Sequence, residues 1–250
     1  MQHNGFPEAQ IYETEKIKFK NPIIFAGFVG AGLSGTLSVS HIINELGLKE
    51  IGFMRSIHLP PSTVFMQGML RHPFRFYANK DGSICAIICE IIISKNGVYT
   101  IASSILDWAE KKGSNEIIIL DGVASSKHDN KAFCAAEVDL CRVMEDTGIK
   151  MVPQGFITGI AGGILNECLI RKIRGVTLLV KANENQPDPM AAVTLVEAVN
   201  KAYGIGIDTE KLKKGKKQIG LDFQELSDKY TEHKKAVSYT HLTLPTNREV

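Results

Sequence analysis

The sequence predicts an α/β protein with a mostly parallel mixed sheet covered by helices on both faces. Three observations carry this expectation. Short apolar runs alternate with stretches of helical periodicity, which is the pattern of strands buried on both sides and joined by crossover helices. The helical stretches stop at glycine: Gly47, Gly113, Gly148 and Gly204. An Asp81-Gly82 turn between two apolar segments predicts a hairpin, so at least one strand runs antiparallel.

Taken in order, Ile23–Ala26 is a short apolar strand after Asn21-Pro22, followed by the glycine-rich segment Gly27–Gly35. A helix is expected from about Leu33 to Leu46, with Leu37, Ile42, Ile43 and Leu46 on one side. Ile51–Met54 is the next strand, and Pro60-Pro61 then breaks the chain by removing two ladder donors. Arg75–Tyr77 and Ser83–Ile93 form the expected hairpin. Tyr99–Lys112 reads as a helix with Ile101, Ile105, Trp108 and Ala109 inward, Glu116–Leu120 as a buried strand, and Ala132–Thr147 as a helix with Cys134 and Cys141 on one face. A second glycine-rich turn, Gly155–Gly163, leads into a helix over Ile164–Arg171, and Val176–Val180 is a further strand. Asp188 is placed to cap a helix with Pro189 at its first position, running to about Tyr203. Asp208 caps a last, lysine-rich helix, and Leu221–Lys235 reads as one more polar helix.

Bulk properties narrow the function classes. A net charge of +2 makes no electrostatic case for nucleic acid or an anionic membrane. The N-terminal segment lacks the basic and apolar regions of a signal peptide, and no apolar run approaches the roughly 20 residues that span a bilayer. A cytoplasmic protein is expected. The five cysteines (Cys85, Cys89, Cys134, Cys141, Cys168) make no C-x-x-C pair and read as small buried hydrophobes in a reducing compartment. Residues 237–250 are expected to be an artefact, because Val237–Thr246 back-translates into an adapter used in preparing sequencing libraries. The expected organisation is an α/β domain over residues 1–210 and a polar helical arm over 211–236.

Several segments could carry chemistry. Gly30, Gly32 and Gly35 match G-x-G-x-x-G between a strand and a helix, and Arg55 lies where a dinucleotide fold would meet the ribose, which would suit an NADP 2′-phosphate. The plainer reading is that Gly27, Gly30, Gly32 and Gly35 permit a tight turn and close approach. The segment carrying Gly159, Gly162 and Gly163 is a candidate anion cradle, structural turn or protein-contact loop. Asp121, directly after a buried strand, sits where open-sheet proteins place functional groups, or serves as a turn residue beside Gly122. Glu90 is either a buried carboxylate or an outward-facing strand residue. The histidines do not cluster, and neither a zinc spacing nor a G-x-S-x-G elbow is present. These residues build a scaffold with no evident catalytic set and imply no cofactor. The competing reading is an enzyme binding a nucleotide or phosphorylated metabolite through the glycine loops and Asp121.

Gly27, Phe28, Gly30 and Gly32, then Leu59–Pro61 with Gly68, His72–Phe76, Ile105–Glu110, Gly155–Gly159 with Gly163–Cys168, and Pro187–Ala192 running on to Ile207–Glu210 together resemble the proteasome-assembly-chaperone (PAC2) family, especially its archaeal members. The resemblance covers roughly residues 17–220. Val29 departs from the family's usual proline, and Lys181–Gln186 departs from a segment where an acidic residue and a histidine are more common. The resemblance implies a three-layer α/β/α fold of phosphorylase-like outline, homo-oligomers, and binding to 20S proteasome α subunits as chaperone or activator without ATP. In some members a C-terminal hydrophobic–tyrosine–any motif makes the contact, and Val237–Tyr239 is not expected to be that motif. Some relatives carry an ATP-grasp label, which no lysine-and-acid nucleotide set in this sequence supports.

Overall fold

The structure is a computed structural model and describes residues 6–66, 68–127 and 129–214. The strands and helices of the first half are β1 Gln10–Glu13, β2 Ile23–Gly27, α1 Ser34–Glu45, β3 Lys49–Arg55, β4 Val64–Met66, β5 Met69–Arg71, β6 Phe74–Ala78, β7 Ile84–Cys89 and α2 Val98–Lys111. The second half adds β8 Glu116–Ala124, β9 Ala132–Ala136, α3 Val138–Asp146, β10 Lys150–Met151, α4 Gly159–Arg171, β11 Arg174–Ala182, α5 Pro189–Tyr203 and α6 Glu210–Lys214.

Nine strands form one mixed sheet in the order β1-β3-β6-β7-β2-β8-β11-β9-β10, while β4 and β5 make a separate hairpin. The centre is parallel, with β2 between β7 and β8 and β11 beyond β8. The flanks are antiparallel at β6–β7, β3–β6, β1–β3 and β9–β11. The central strands are buried on both faces, so their side chains alternate between two cores rather than between core and water. Phe25, Ile118, Leu120, Leu178 and Val180 point to one layer with α1, α3 and α5. Ile24, Ala26, Ile117 and Ile119 point to the other with α2 and α4. This is the expected α/β/α arrangement.

Local chemistry explains the elements that match expectation. Asp188 caps α5 by accepting the Ala191 N–H at 3.0 Å, Pro189 opens the helix, and Gly204 ends it in the left-handed region at φ 63°. At the Asp81-Gly82 turn, Gly82 takes φ 70° and the Ser83 N–H donates to Asn79 Oδ1 at 3.0 Å, which closes the β6–β7 hairpin.

Four readings are corrected. Ala132–Thr147 is not one helix: Ala132–Ala136 is strand β9, and the helix is only Val138–Asp146. The antiparallel register of Val176 through Val180 against Ala136 through Ala132 recruits those residues into the sheet, overriding the helical preference of an alanine-rich run. Cys134 and Cys141 therefore lie on different elements, although all five cysteines are buried and free. Helix α4 begins at Gly159, five residues earlier than Ile164, so Gly162 and Gly163 are helical. Asp121 lies within β8, which continues to Ala124, rather than after the strand. Glu90 is not an outward strand residue: its side chain is 4% exposed and paired with Arg75 at 2.8 Å. The lysine-rich helix is described only to Lys214; its remainder, the Leu221–Lys235 helix and residues 237–250 lie outside the described residues.

Candidate functional site

At the carboxyl edge of the central strands, the first glycine segment is shaped by close approach. After β2 the chain turns through Gly30 and a short 3-10 turn, with Gly32 at φ 63° and Leu33 at φ 48°, before entering α1. A Cβ at Gly35 would run into the Leu120 carbonyl, and one at Gly27 into the Gly35 carbonyl. Helix α1 is thus pressed onto β2 and β8 at a distance only glycine permits. Gly32 is covered from outside by the turn before α5: a Cβ there would lie 2.8 Å from that of Asp188, whose N–H donates to the Gly32 carbonyl at 2.7 Å. The glycines that match the dinucleotide pattern are approached by the chain's own atoms: the Asp121 side chain at Gly30, Asp188 at Gly32 and the Leu120 carbonyl at Gly35.

Asp121 faces Gly30 across this turn; a Cβ on Gly30 would lie 2.5 Å from Oδ1. The same oxygen accepts the Gly122 N–H at 2.8 Å. Burial pushes the Asp121 carboxyl up to about 6, the Gly122 bond opposing it. An anion laid on Gly30 would meet this carboxylate, which disfavours a phosphate there. Arg55 is also misplaced for such a ligand, because β3 is separated from β2 by β6 and β7. Its guanidinium lies 4.3 Å over the Phe6 ring.

The second glycine segment lies at the same edge of the sheet but on the opposite face. Gly163 lets α4 approach α2, where a Cβ would meet Val98 at 2.8 Å and Ala102 at 3.4 Å. Gly162 abuts the Ile157 carbonyl, whereas Gly155 and Gly159 face open space. Between them Phe156 is 98% exposed. The two glycine segments therefore flank different faces of the sheet.

What gathers at this edge is apolar surface. The β4–β5 hairpin leaves β3 and returns to β6, with Phe65 opposite Leu70 and Met66 opposite Met69. Phe65, Met69 and Leu70 are 60%, 61% and 77% exposed. At the same edge of the sheet, Ile57 after β3, Ile92 after β7 and Tyr99 in the first turn of α2 are also exposed. The loops carrying Ile57 and Ile92 are tied together by the Ser94 N–H donating to the His58 carbonyl at 3.1 Å. Single exposed apolar side chains are ordinary, but several on one edge mark a contact surface. Sequence reasoning missed this surface. The available signal was the run Val64–Leu70 behind Pro60-Pro61, broken only by Gln67 and Gly68.

Other polar groups serve the scaffold. Arg75, 2% exposed, pairs with Glu90 and donates from Nε to the Tyr77 hydroxyl at 2.8 Å. Burial opposes the guanidinium's charge, yet the Glu90 carboxylate prevails and holds its pKa above the ordinary value. Among the described residues no group of three His, Cys, Asp or Glu side chains could hold a metal ion, and no helix is long and apolar enough to cross a membrane.

Comparison with known proteins places these features in a family. A protein of unknown function from Thermoplasma acidophilum is 34% identical, with a TM-score of 0.82, covering 87% of this chain and 90% of its own. PbaA of Pyrococcus furiosus, an archaeal homolog of proteasome-assembly chaperone, is 25% identical with a TM-score of 0.80, covering 90% and 99% of the two chains. PbaB of the same organism, an archaeal proteasome activator, shares the fold at 22% identity and a TM-score of 0.73, covering 88% and 99%. The PAC2 family model matches residues 24–227. With an α/β/α body and a family model that matches most of its length, the chain belongs to the PAC2 family.

Proposed function

We propose that this protein is a proteasome assembly chaperone or activator-like protein that docks on 20S proteasome α subunits without ATP and without catalysing a reaction. The observation that carries this reading is the apolar edge formed by the β4–β5 hairpin and Phe156, which exposes large side chains that a monomer in water has no reason to leave uncovered. Family membership and the likeness to PbaA support the choice of partner. Self-association belongs to the same reading: the outer face of α4 exposes Leu169 and Ile170, which would be covered between copies.

The test is capture of purified archaeal 20S α subunits by the immobilised full chain, with and without ATP. Saturable binding at micromolar subunit concentrations, unchanged by ATP, supports the proposal. No retention, or retention only with ATP, overturns it.

A further inference from the structure

We propose that a cavity of about 240 Å³ between the β9–β10 edge of the sheet and helix α5 binds a small, multiply charged molecule through its phosphoryl groups. It lies at the opposite lateral end of the sheet from the β4–β5 hairpin, far from the proposed docking edge in strand order.

The charge lining this cavity is predominantly positive, three lysines to one carboxylate. Lys131, Lys150 and Lys201 come to it from three elements: the approach to β9, β10 itself, and the last turn of α5. No carboxylate of the described residues pairs with any of the three, in contrast to Lys181 with Asp129 or Lys211 with Glu45. The one carboxylate on the wall, Glu197, is engaged by Lys213 from α6 at 3.2 Å. Three lysines thus line a space with one acid, Glu197, whose charge is partly offset by Lys213, itself shared with Glu210.

Apolar walls sharpen the effect. Phe133, Ile149 and Ala198 line part of it, beside the polar Asn130 and Thr194, and attraction between charges strengthens where apolar side chains exclude water. Lysine binds phosphate as a mobile point charge, so three lysines around one cavity suit a ligand with two or more negative charges better than a monoanion. The volume is roughly eight times the ~30 Å³ share of one water and below the ~300 Å³ of the smallest drug-sized pockets. A diphosphate group or a compact phosphorylated metabolite fits that size. The glycine loops, where a nucleotide would be sought from sequence, take no part.

Isothermal titration of the full chain with inorganic diphosphate tests this at about 20 mM and about 200 mM salt. One saturable site that weakens with salt is expected. Lys150→Gln with Lys201→Gln should weaken it about tenfold or more, while Lys80→Gln with Lys111→Gln, exposed lysines outside the cavity, should leave it unchanged. A nucleoside diphosphate run in parallel separates sources: equal affinity assigns recognition to the phosphoryl groups alone, and tighter binding adds a base against Phe133. Absence of saturable binding at millimolar diphosphate, or equal loss in both double variants, overturns the proposal. Circular dichroism of each variant guards against misfolding. If the first pair fails to fold, Lys131→Gln alone must weaken binding for the proposal to stand.

Discussion

Replacing Asp121 by asparagine should stabilise the protein at neutral pH and have little effect in acid. The side chain is half-buried against Gly30, and burial raises its carboxyl from an ordinary 3.8 to about 6. A carboxyl whose pKa rises on folding binds more protons in the folded state than in the unfolded state. Its contribution is therefore most favourable below about pH 4, where both states are protonated, and is lost as pH climbs from about 4 to about 6. The difference of about two pH units, at ~1.36 kcal/mol each, corresponds to about 3 kcal/mol of destabilisation at pH 7.5. Asparagine keeps an oxygen to accept the Gly122 N–H while removing the charge. Urea unfolding followed by circular dichroism at pH 4.0 and pH 7.5 measures this. The variant should be more stable by about 2–3 kcal/mol at pH 7.5, shrinking below ~1 kcal/mol at pH 4.0. Equal stability at pH 7.5, or an advantage that persists unchanged in acid, would refute the reasoning.

Three further outcomes can be measured alongside it. Arg75→Met strands the Glu90 carboxylate in the core and should cost about 3–5 kcal/mol in the same assay, with Glu90→Gln added to it recovering most of that loss. Gly35→Ala drives a methyl into the Leu120 carbonyl and should cost more than about 2 kcal/mol, whereas Gly148→Ala, open but at φ 81°, should cost only the ~1–2 kcal/mol of a left-handed backbone. Burial pushes the thiols of Cys85, Cys89 and Cys168 up to about 12 and that of Cys134 to about 11. Ellman's reagent at pH 8 should find none of these four in the native protein and all of them in denaturant; fast reaction at any of the four contradicts their burial.

Much of the body was legible because local and global signals agree there. Ile117–Leu120 is an uninterrupted apolar run and Val176–Val180 is broken only by Thr177, as expected of strands covered on both faces. Asp188, Pro189 and Gly204 mark both ends of α5 by backbone chemistry alone. Legibility failed where a distant partner decides. Ala132–Ala136 is strand only because β11 offers it an antiparallel edge, and β1 pairs with β3 across a long separation in sequence. Glu90 looked like the polar member of a half-solvated strand because its partner Arg75 lies across the hairpin. The site was hardest to read. Periodicity identifies apolar residues but not which of them stay uncovered, so Phe65 and Leu70 are indistinguishable in sequence from the core residues Phe74 and Phe76. The glycine pattern at 30–35 was visible at once, yet its cause is the approach of α1 to Leu120 rather than a ligand.

The most direct test of the docking account is surface plasmon resonance of 20S α subunits over the wild-type chain and over the variant Phe65→Ser with Leu70→Ser. These side chains face each other on the hairpin and are 60% and 77% exposed, so their removal leaves both cores intact. As central apolar anchors they should each contribute about 1–2 kcal/mol, and the account predicts at least about a tenfold loss of affinity with an unchanged circular dichroism spectrum. Undiminished binding by a folded variant would contradict the claim that this edge is where the partner docks.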